Sequence, residues 1–431
     1  MKPKIIGWNI EKNAPWLGVP KGFKLNRDHW IAGNREIEWV KQALDSLFPG
    51  AGRLAAKTLI LFHKAFAPSG GFGVEVYMHA AKIGLLAYEK QRWRLYPTGA
   101  LASLLESLGY NTTTLRFRGR LKGKKIKLNE CPVEAYDYIL VSSGRFVGPA
   151  KIIEREHCIV KVKDMAPRGF KPLPASSIDD AALVNRAYIE RLASEAREFI
   201  RKWATHRPVY VAVSGGLDSS VTLSLAVEAL GADNIIAVYA DTGMEFNESL
   251  ETVERLASKL GVQLEIVPSG LDPIVEIRRR GLMGKDKRWC TRILKLTPLR
   301  KFYRKMNAKI VIDGARSFES ESRASTPRVG VNPVIPFVKR ILPIHSWSRL
   351  EVQLYARLRG LPMNPLYNEG LHRIGCILCP AMHIHEMEVA MELKPTFYQR
   401  IYGVLRELGV DEPRSFLLDG SWRKKGVSAT R

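Results

Sequence analysis

The chain has 431 residues, is 46% hydrophobic and 26% charged, and holds no apolar run long enough to cross a bilayer, so a membrane-spanning helix is excluded and about two to three soluble, globular domains are expected. The formal charge of +24 and the sequence pI near 9.9 concentrate phosphate-bearing partners around such a surface, which makes RNA or DNA the first partner expected and no membrane a companion expectation. Five cysteines in so long a chain argue against an extracellular disulfide framework, and the basic start "MKPKIIGWNIEKNAPW" lacks an apolar h-region and a cleavage site, so the expected location is cytoplasmic.

Taken in chain order, residues 1–129 mix an amphipathic helix, with Ile37, Val40, Leu44 and Leu47 on one face, and apolar strands such as "KTLILFH" and "GLLAYE". This reads as an N-terminal α+β segment. Residues 130–180 begin with "YDYILVSSGRFVGPAKIIEREHCIVKVKD", whose short β-rich runs break at Gly144 and Gly148. There Val160 and Val162 alternate with Lys161 and Lys163, the pattern of a half-buried strand at the edge of a small β-barrel. After the Pro-rich "APRGFKPLP", a long helix with Tyr188, Leu192, Ala196, Phe199, Ile200 and Trp203 on one face opens the segment 181–431.

That last segment alternates strands and helices: "PVYVAVSGG", a helix from about Ser219, "IIAVYADTG", a helix through Leu260, "VQLEIVPSG" and "AKIVIDGAR". Parallel α/β architecture follows, with ligands beyond the carboxyl ends of the strands, where the loops bearing Ser214, Asp241 and Arg316 emerge. Basic residues gather at "RFRGRLKGKKIK" (Arg116 to Lys127) and "RRRGLMGKDKRWCTRILK" (Arg278 to Lys295), as patches rather than an even coat.

"VAVSGGLDSS" joins a buried strand to a helix through two glycines, so backbone N–H groups at Gly215 and Gly216 can turn toward an anion. Ser214, Ser219 and Ser220 add hydroxyl donors, and Asp218 can serve a magnesium ion that accompanies phosphates. Arg316, Arg323 and Arg373 are candidate anion clamps, with Lys295 assisting; the plainer alternative is surface arginines paired with Glu319 and Glu321.

"SGGLDSS" resembles the phosphate loop of the PP-loop ATP pyrophosphatases, the adenine nucleotide α-hydrolases. "RWCTRILKLTP", "DGARSFESESR", "LPIHSW" and "NPLYNEGLHRIGCILCP" resemble, in order, the phosphoadenosine phosphosulfate reductase family and its relatives. The resemblance implies an α/β fold with a parallel-sheet, HUP-like nucleotide domain, phosphates held by Ser214 to Ser220, and adenosine near Tyr239 and Asp241 of "YADTG". Residues 130–180 resemble a PUA-like domain, a module often attached to RNA-modifying enzymes. The start "IGWNIEKNAP" is similar to a zinc-ribbon start of related archaeal proteins but has no cysteine, so no zinc is expected there.

Cys376 and Cys379 form a CxxC, which can be a redox dithiol, half of a zinc site or half of an iron-sulfur site. With Cys290 of "RWCT" they make three candidate metal ligands on family motifs, while Cys131 and Cys158 fall outside. His383, His385 or an exogenous group could be the fourth. The resemblance to tRNA-thiolating enzymes that hold a 4Fe-4S cluster on three cysteines implies such a cluster, with Zn²⁺ as the alternative.

Family reductases attack sulfate with a cysteine in a C-terminal Glu-Cys-Gly-(Ile/Leu)-His motif, and "DGSWRKKGVSATR" has none. The expected function is therefore an ATP pyrophosphatase, using ATP or another adenine nucleotide and Mg²⁺ for sulfur transfer to RNA, in particular tRNA, with Asp218, Cys290, Arg316 and Arg373 in the catalytic set and a sulfur or electron donor protein as partner. The alternatives are a sulfonucleotide reductase and a non-catalytic RNA-binding protein.

Overall fold

The computed structural model describes residues 28–115, 121–131 and 137–428. The "IGWNIEKNAP" stretch and the first residues of the basic run at 116–127 lie outside the described residues. The chain divides into two compact units, Met1–Tyr188 and Ile189–Arg431, a boundary somewhat later than the expected one near residue 180.

The first unit contains two sheets. One is an antiparallel meander of β1 (His29–Ile31), β2 (Leu61–Phe66), β3 (Phe72–Met78), β4 (Ala81–Glu89) and β5 (Arg92–Pro97), paired in that order. The helices Asn34–Asp45 and Gly99–Ser107 share its core, where Val40, Leu44, Val76, Ile83 and Leu101 are buried. The first helix starts where it does because Glu36 folds back: its carboxylate accepts the Gly33 N–H at 2.8 Å and the Trp30 indole N–H at 3.1 Å.

The second sheet comprises β6 (Thr113–Thr114), β7 (Lys125–Lys127), β8 (Tyr138–Ser143), β9 (Phe146–Glu154), β10 (Ile159–Val162) and β11 (Ala166–Pro167), in the order β6-β8-β9-β10-β7 with β11 on β9. Val160 and Val162 are buried, as their alternation with lysines requires. Gly148 is dictated by close approach, since a β-carbon there would stand 1.9 Å from the Asp164 carbonyl oxygen. Cys131 and Cys158 form a disulfide, although the cysteine count gave no reason to expect one. Strand register explains it. β10 pairs antiparallel with β7, Val160 opposite Ile126, and the Leu128 N–H donates to the Cys158 carbonyl at 3.0 Å, which brings the two flanking cysteines together.

The second unit is built on β12 (Val209–Val213), β13 (Ile235–Asp241), β14 (Gln263–Pro268), β15 (Ile310–Ile312), β16 (Val329–Asn332) and β17 (Ile335–Ile341), in the order β14-β13-β12-β15-β17-β16. All neighbours are parallel except β16, which caps the edge antiparallel to β17. Helices Leu217–Leu230 and Asn247–Leu260 make the crossovers after β12 and β13. Ser214 and Arg316 follow the carboxyl ends of β12 and β15, and Asp241 is the last residue of β13.

The helix Arg186–Trp203 buries only part of the face its pattern suggested: Ala196 and Ile200 are inside together with Ile189 and Ala193, while Tyr188, Leu192, Phe199 and Trp203 are half-buried along its flank. The small alanines let the helix approach closely, and the aromatic flank is covered by cations, with the Arg328 guanidinium 4.1 Å from the Phe199 ring centre and the Lys339 ammonium 5.6 Å from that of Trp203. Among the described residues no helix is long and apolar enough to cross a membrane.

Candidate active site

The turn between β12 and the helix Leu217–Leu230 is tight by necessity. Gly215 sits at φ +72°, and a β-carbon on it would lie 2.4 Å from the Ser249 carbonyl oxygen. The serines expected to offer hydroxyls to a ligand instead brace the turn: the Ser219 and Ser220 hydroxyls donate to the Gly216 carbonyl at 2.8 and 3.1 Å, and the Ser214 N–H donates to Ser219 Oγ at 3.1 Å. The hydroxyl protons are spent because both serines are buried inside the first helical turn, where the nearest acceptor is the helix's own carbonyl. From "NPLYNEG", Asn364 Nδ2 donates to the Gly215 carbonyl at 3.2 Å and the Tyr367 hydroxyl accepts the Leu217 N–H at 2.8 Å.

The three predicted arginines converge on two acids. Arg316, only 3% exposed, places Nε 2.9 Å from Asp218 Oδ1 and donates from Nη1 to the Trp347 carbonyl at 3.2 Å. Arg323 Nη1 lies 2.5 Å from Glu319 Oε1, and Arg373 Nη2 lies 3.6 Å from Glu319 Oε2. Asp218, assigned to magnesium on sequence grounds, is thus paired with a buried guanidinium. Burial, followed by the neighbouring Asp218 carboxylate, raises the Glu319 carboxyl above its usual range against the pull of the arginines. Arg349 adds a further cation, 5.0 Å above the Tyr367 ring.

The CxxC segment is tied to the loop that follows β13. Glu245 and Cys376 form an isolated antiparallel bridge, and the Ile377 N–H donates to the Met244 carbonyl at 2.7 Å. Glu245 holds the "YADTG" loop by accepting the Thr242 N–H and hydroxyl at 2.9 and 2.8 Å, and it faces Cys376 Sγ at 3.7 Å. Asp241 accepts the Gly243 N–H at 2.9 Å, and Tyr239 is buried with its phenol raised by burial and by Glu245, Asp241 and Cys376 in turn. Burial and the Glu245 carboxylate push the Cys376 thiol well above its ordinary value; Cys379, Lys295 and Cys290 also perturb it. Cys290, at the start of the π-helical turn Thr291–Leu296, is raised by burial and feels Cys379 and Arg288. The three thiols are free and mutually close enough to interact electrostatically.

Residues 208–382 match the family model of the phosphoadenosine phosphosulfate reductase domain. The second unit carries a phosphoadenosine phosphosulfate reductase domain. That match and the reductase relatives support an enzyme of the PP-loop family. The chain is 29% identical over 365 residues to an uncharacterized protein of Methanocaldococcus jannaschii, covering 81% of this chain and 86% of that one. It is 28% identical over 235 residues to the phosphoadenosine 5'-phosphosulfate reductase of Cronobacter sakazakii, covering 52% and 89% respectively. Among solved structures, the phosphoadenylyl-sulfate reductase of Candida auris in its phosphate complex aligns at 20% identity with a TM-score of 0.36, covering 44% of this chain and 95% of that chain.

Of the alternatives for a fourth ligand beside the thiols, the two histidines take a different place. His383 and His385 gather instead with His372 around Glu386, which accepts the His372 and Arg373 N–H groups at 3.2 Å each and the His383 N–H at 2.9 Å. Burial pushes the His385 imidazole down to about 3 and lowers His383 as well. Sequence reasoning missed Glu245, Arg349, Asn364, Tyr367 and His372 as site residues. Asn364, Tyr367 and His372 lie inside "NPLYNEGLHRIGCILCP", where a polar residue type at each position was the available signal; Glu245 and Arg349 carried none, since only the fold brings them to the site.

Proposed function

We propose that the reductase domain binds ATP or another adenine nucleotide with Mg²⁺ at Ser214–Ser220 and uses it to activate an oxygen on an RNA base, in a tRNA, for replacement by sulfur. The observation that carries this reading is the bridge between Glu245 and Cys376, which ties a CxxC to the strand-end loop flanking the glycine turn. Nucleotide and sulfur chemistry then share one end of the sheet. In the first step the base oxygen attacks the α-phosphorus, the α–β phosphoanhydride bond breaks, and pyrophosphate leaves toward the glycine turn. Backbone N–H groups at Gly215 and Gly216 and the helix N-terminus receive it, with Arg316, Arg323 and Arg373 offsetting the developing charge, and Asp218, paired with Arg316 through Oδ1, serves the magnesium ion with its other oxygen. A sulfur nucleophile then displaces AMP from the activated base carbon. Tyr239 and Asp241 border the adenosine in this reading, and the sheet β6–β11 is a PUA-like RNA-recognition module.

The three thiols suit a cluster, with a single zinc ion as the alternative. Zinc–thiolate bonds of about 2.3 Å put sulfurs roughly 3.8 Å apart. Yet among the described residues the trio of potential ligands gathered within 4.8 Å is His372, His385 and Glu386, without the cysteines. Cysteines of a 4Fe-4S cluster bind separate irons and stand further apart. Held by Cys290, Cys376 and Cys379, such a cluster would supply an iron able to bind sulfur. The chain's own residues set its surroundings: Lys295 and Arg288 stand near the thiols, and Glu245 disfavours a bare thiolate at Cys376.

The test is ATP–pyrophosphate exchange with and without tRNA. Stimulation by tRNA, abolished in Asp218→Ala, is expected; no stimulation together with no RNA binding at low salt overturns the proposal. A second reading, reduction of a sulfonucleotide by a thiol of Cys290 or the CxxC, is favoured by the similarity to the Cronobacter sakazakii reductase over 89% of that protein. Sulfite release from adenylyl sulfate in the presence of a thiol donor distinguishes it. An anaerobic absorption spectrum with metal analysis separates cluster, zinc and bare thiols.

A further inference from the structure

A second set of ligating side chains lies beside the thiols without a part in that chemistry. His372 stands just before the CxxC, and His385 and Glu386 stand just after it, in the first turn of the helix Ile384–Leu393. Their ligand atoms all lie within 4.8 Å of one another, with His372 Nδ1 2.9 Å from Glu386 Oε1. His385 is 3% exposed and Glu386 fully buried. The rings of His372, His383 and His385 are close to parallel, 10° to 29° apart in plane, with centroids 5.2 to 5.9 Å apart.

A structural explanation covers part of this. Glu386 is the N3 residue of its helix and accepts the His383 N–H as a capping acid does. Capping explains one carboxylate; it does not explain why imidazoles from both sides of the CxxC converge on it in the interior, where each polar ring costs desolvation. The backbone N–H groups on Glu386 also do what outer partners of a metal site do: they fix a ligating carboxylate in one orientation. Two imidazole nitrogens and one carboxylate oxygen make a donor set suited to a borderline divalent ion, the His₂Glu type, with a position left for a further ligand. Bonds of about 2.0–2.1 Å place such ligand atoms roughly 3.3 Å apart, so the site closes by side-chain shifts of about 1 Å.

We propose that His372, His385 and Glu386 bind a divalent transition metal ion of the zinc class, at a site distinct from the three cysteines, with His383 packed beside it. The ion joins the chain entering the CxxC to the helix leaving it, and so holds Cys376 and Cys379 in place. It is a positioning site, independent of which sulfur chemistry the cysteines perform.

The test uses the full chain, stripped with a chelator and titrated with Co²⁺ and then Zn²⁺. In a Cys290→Ser, Cys376→Ser, Cys379→Ser triple variant, about one equivalent of Co²⁺ is expected to bind, with weak visible bands and no intense sulfur-to-cobalt charge-transfer band, and Zn²⁺ should displace it. Adding His372→Gln and His385→Gln should weaken binding by more than the roughly 10–100-fold that loss of an outer partner costs. Glu386 is left intact so that the helix start is kept, and His372→Gln alone, at the more accessible ligand, serves if the combined variant does not fold. Zn²⁺ should also raise the melting temperature of the triple cysteine variant and leave that of the histidine variant unmoved. No Co²⁺ binding by the triple cysteine variant, or equal affinity with and without the histidines, overturns the proposal.

Discussion

At position 215 a single methyl group decides between two outcomes, because it would meet the Ser249 carbonyl oxygen at 2.4 Å on a backbone already at φ +72°. Gly215→Ala is expected to cost on the order of 2 kcal/mol and to displace the turn that the proposal assigns to phosphates. Denaturant unfolding measures the first effect and calorimetric nucleotide titration the second; unchanged values in both would show that the turn tolerates a side chain. In the first unit, Glu75 accepts from Tyr77 Oη at 2.8 Å, lies 3.2 Å from His63 Nδ1 and pairs with the Lys82 ammonium. Burial alone would raise its carboxyl, but these partners outweigh burial and hold it down to about 2 from an ordinary 4.5. A folded value below the unfolded one contributes stability that is fully present above the unfolded value and is lost as the pH falls toward the folded one. The loss therefore falls between about pH 4.5 and 2, and Glu75→Gln should cost about 2 kcal/mol near neutrality, fading across that window. Unfolding midpoints of the two proteins that stay parallel down to about pH 2 would rule this out.

Elements differ in how far the sequence exposes them. The strands β12 and β13 and the two glycines between β12 and its helix were legible because a short buried apolar run, a Gly-Gly break and a helical stretch are all local signals. The phase of the helix Arg186–Trp203 was not, because its apolar arc is wide and the neighbours choose which part goes inside. That choice is measurable: Ile200→Ala, at a fully buried position, should cost about 2–4 kcal/mol, and Leu192→Ala, on the half-buried flank, less than about half of that. Equal costs would restore the face read from the pattern. The site shows the same division. Ser214, Asp218, Arg316 and the CxxC could be named from the chain because each belongs to a compact motif. Glu245 could not, since besides bracing its own loop through Thr242 it reaches the CxxC only by the bridge to Cys376, more than a hundred residues away. The Cys131–Cys158 bridge likewise depends on the pairing of β10 with β7, a long-range register that no local pattern encodes.

For the molecule as a whole, the charge of +24 calls for a place where it acts together, and the fold of the second unit supplies one. The C-terminal "WRKKG" segment runs alongside "GKDKRWC": the Lys285 N–H donates to the Arg423 carbonyl at 2.8 Å and the Asp286 N–H to the Lys424 carbonyl at 2.9 Å. This lines up Lys285, Lys287, Arg288, Lys424 and Lys425, all exposed, in one margin that leads to Cys290. Two basic stretches far apart in sequence thus become one cationic surface at the edge of the candidate site, where a polyanionic substrate must pass if the sulfur chemistry acts on RNA. Exposed cations contribute little to stability, so replacing them should leave the fold intact and register only in binding. The quadruple variant Lys287→Gln, Arg288→Gln, Lys424→Gln, Lys425→Gln should keep the wild-type melting temperature and weaken tRNA binding about tenfold or more at moderate salt. The dependence of log K on log salt should become shallower by roughly 0.7–0.9 for each phosphate that the variant no longer neutralises. Filter binding or fluorescence anisotropy across a salt series reads both quantities. A variant that binds tRNA with wild-type affinity and slope would place the RNA-binding surface elsewhere and detach this margin from the chemistry at Cys290.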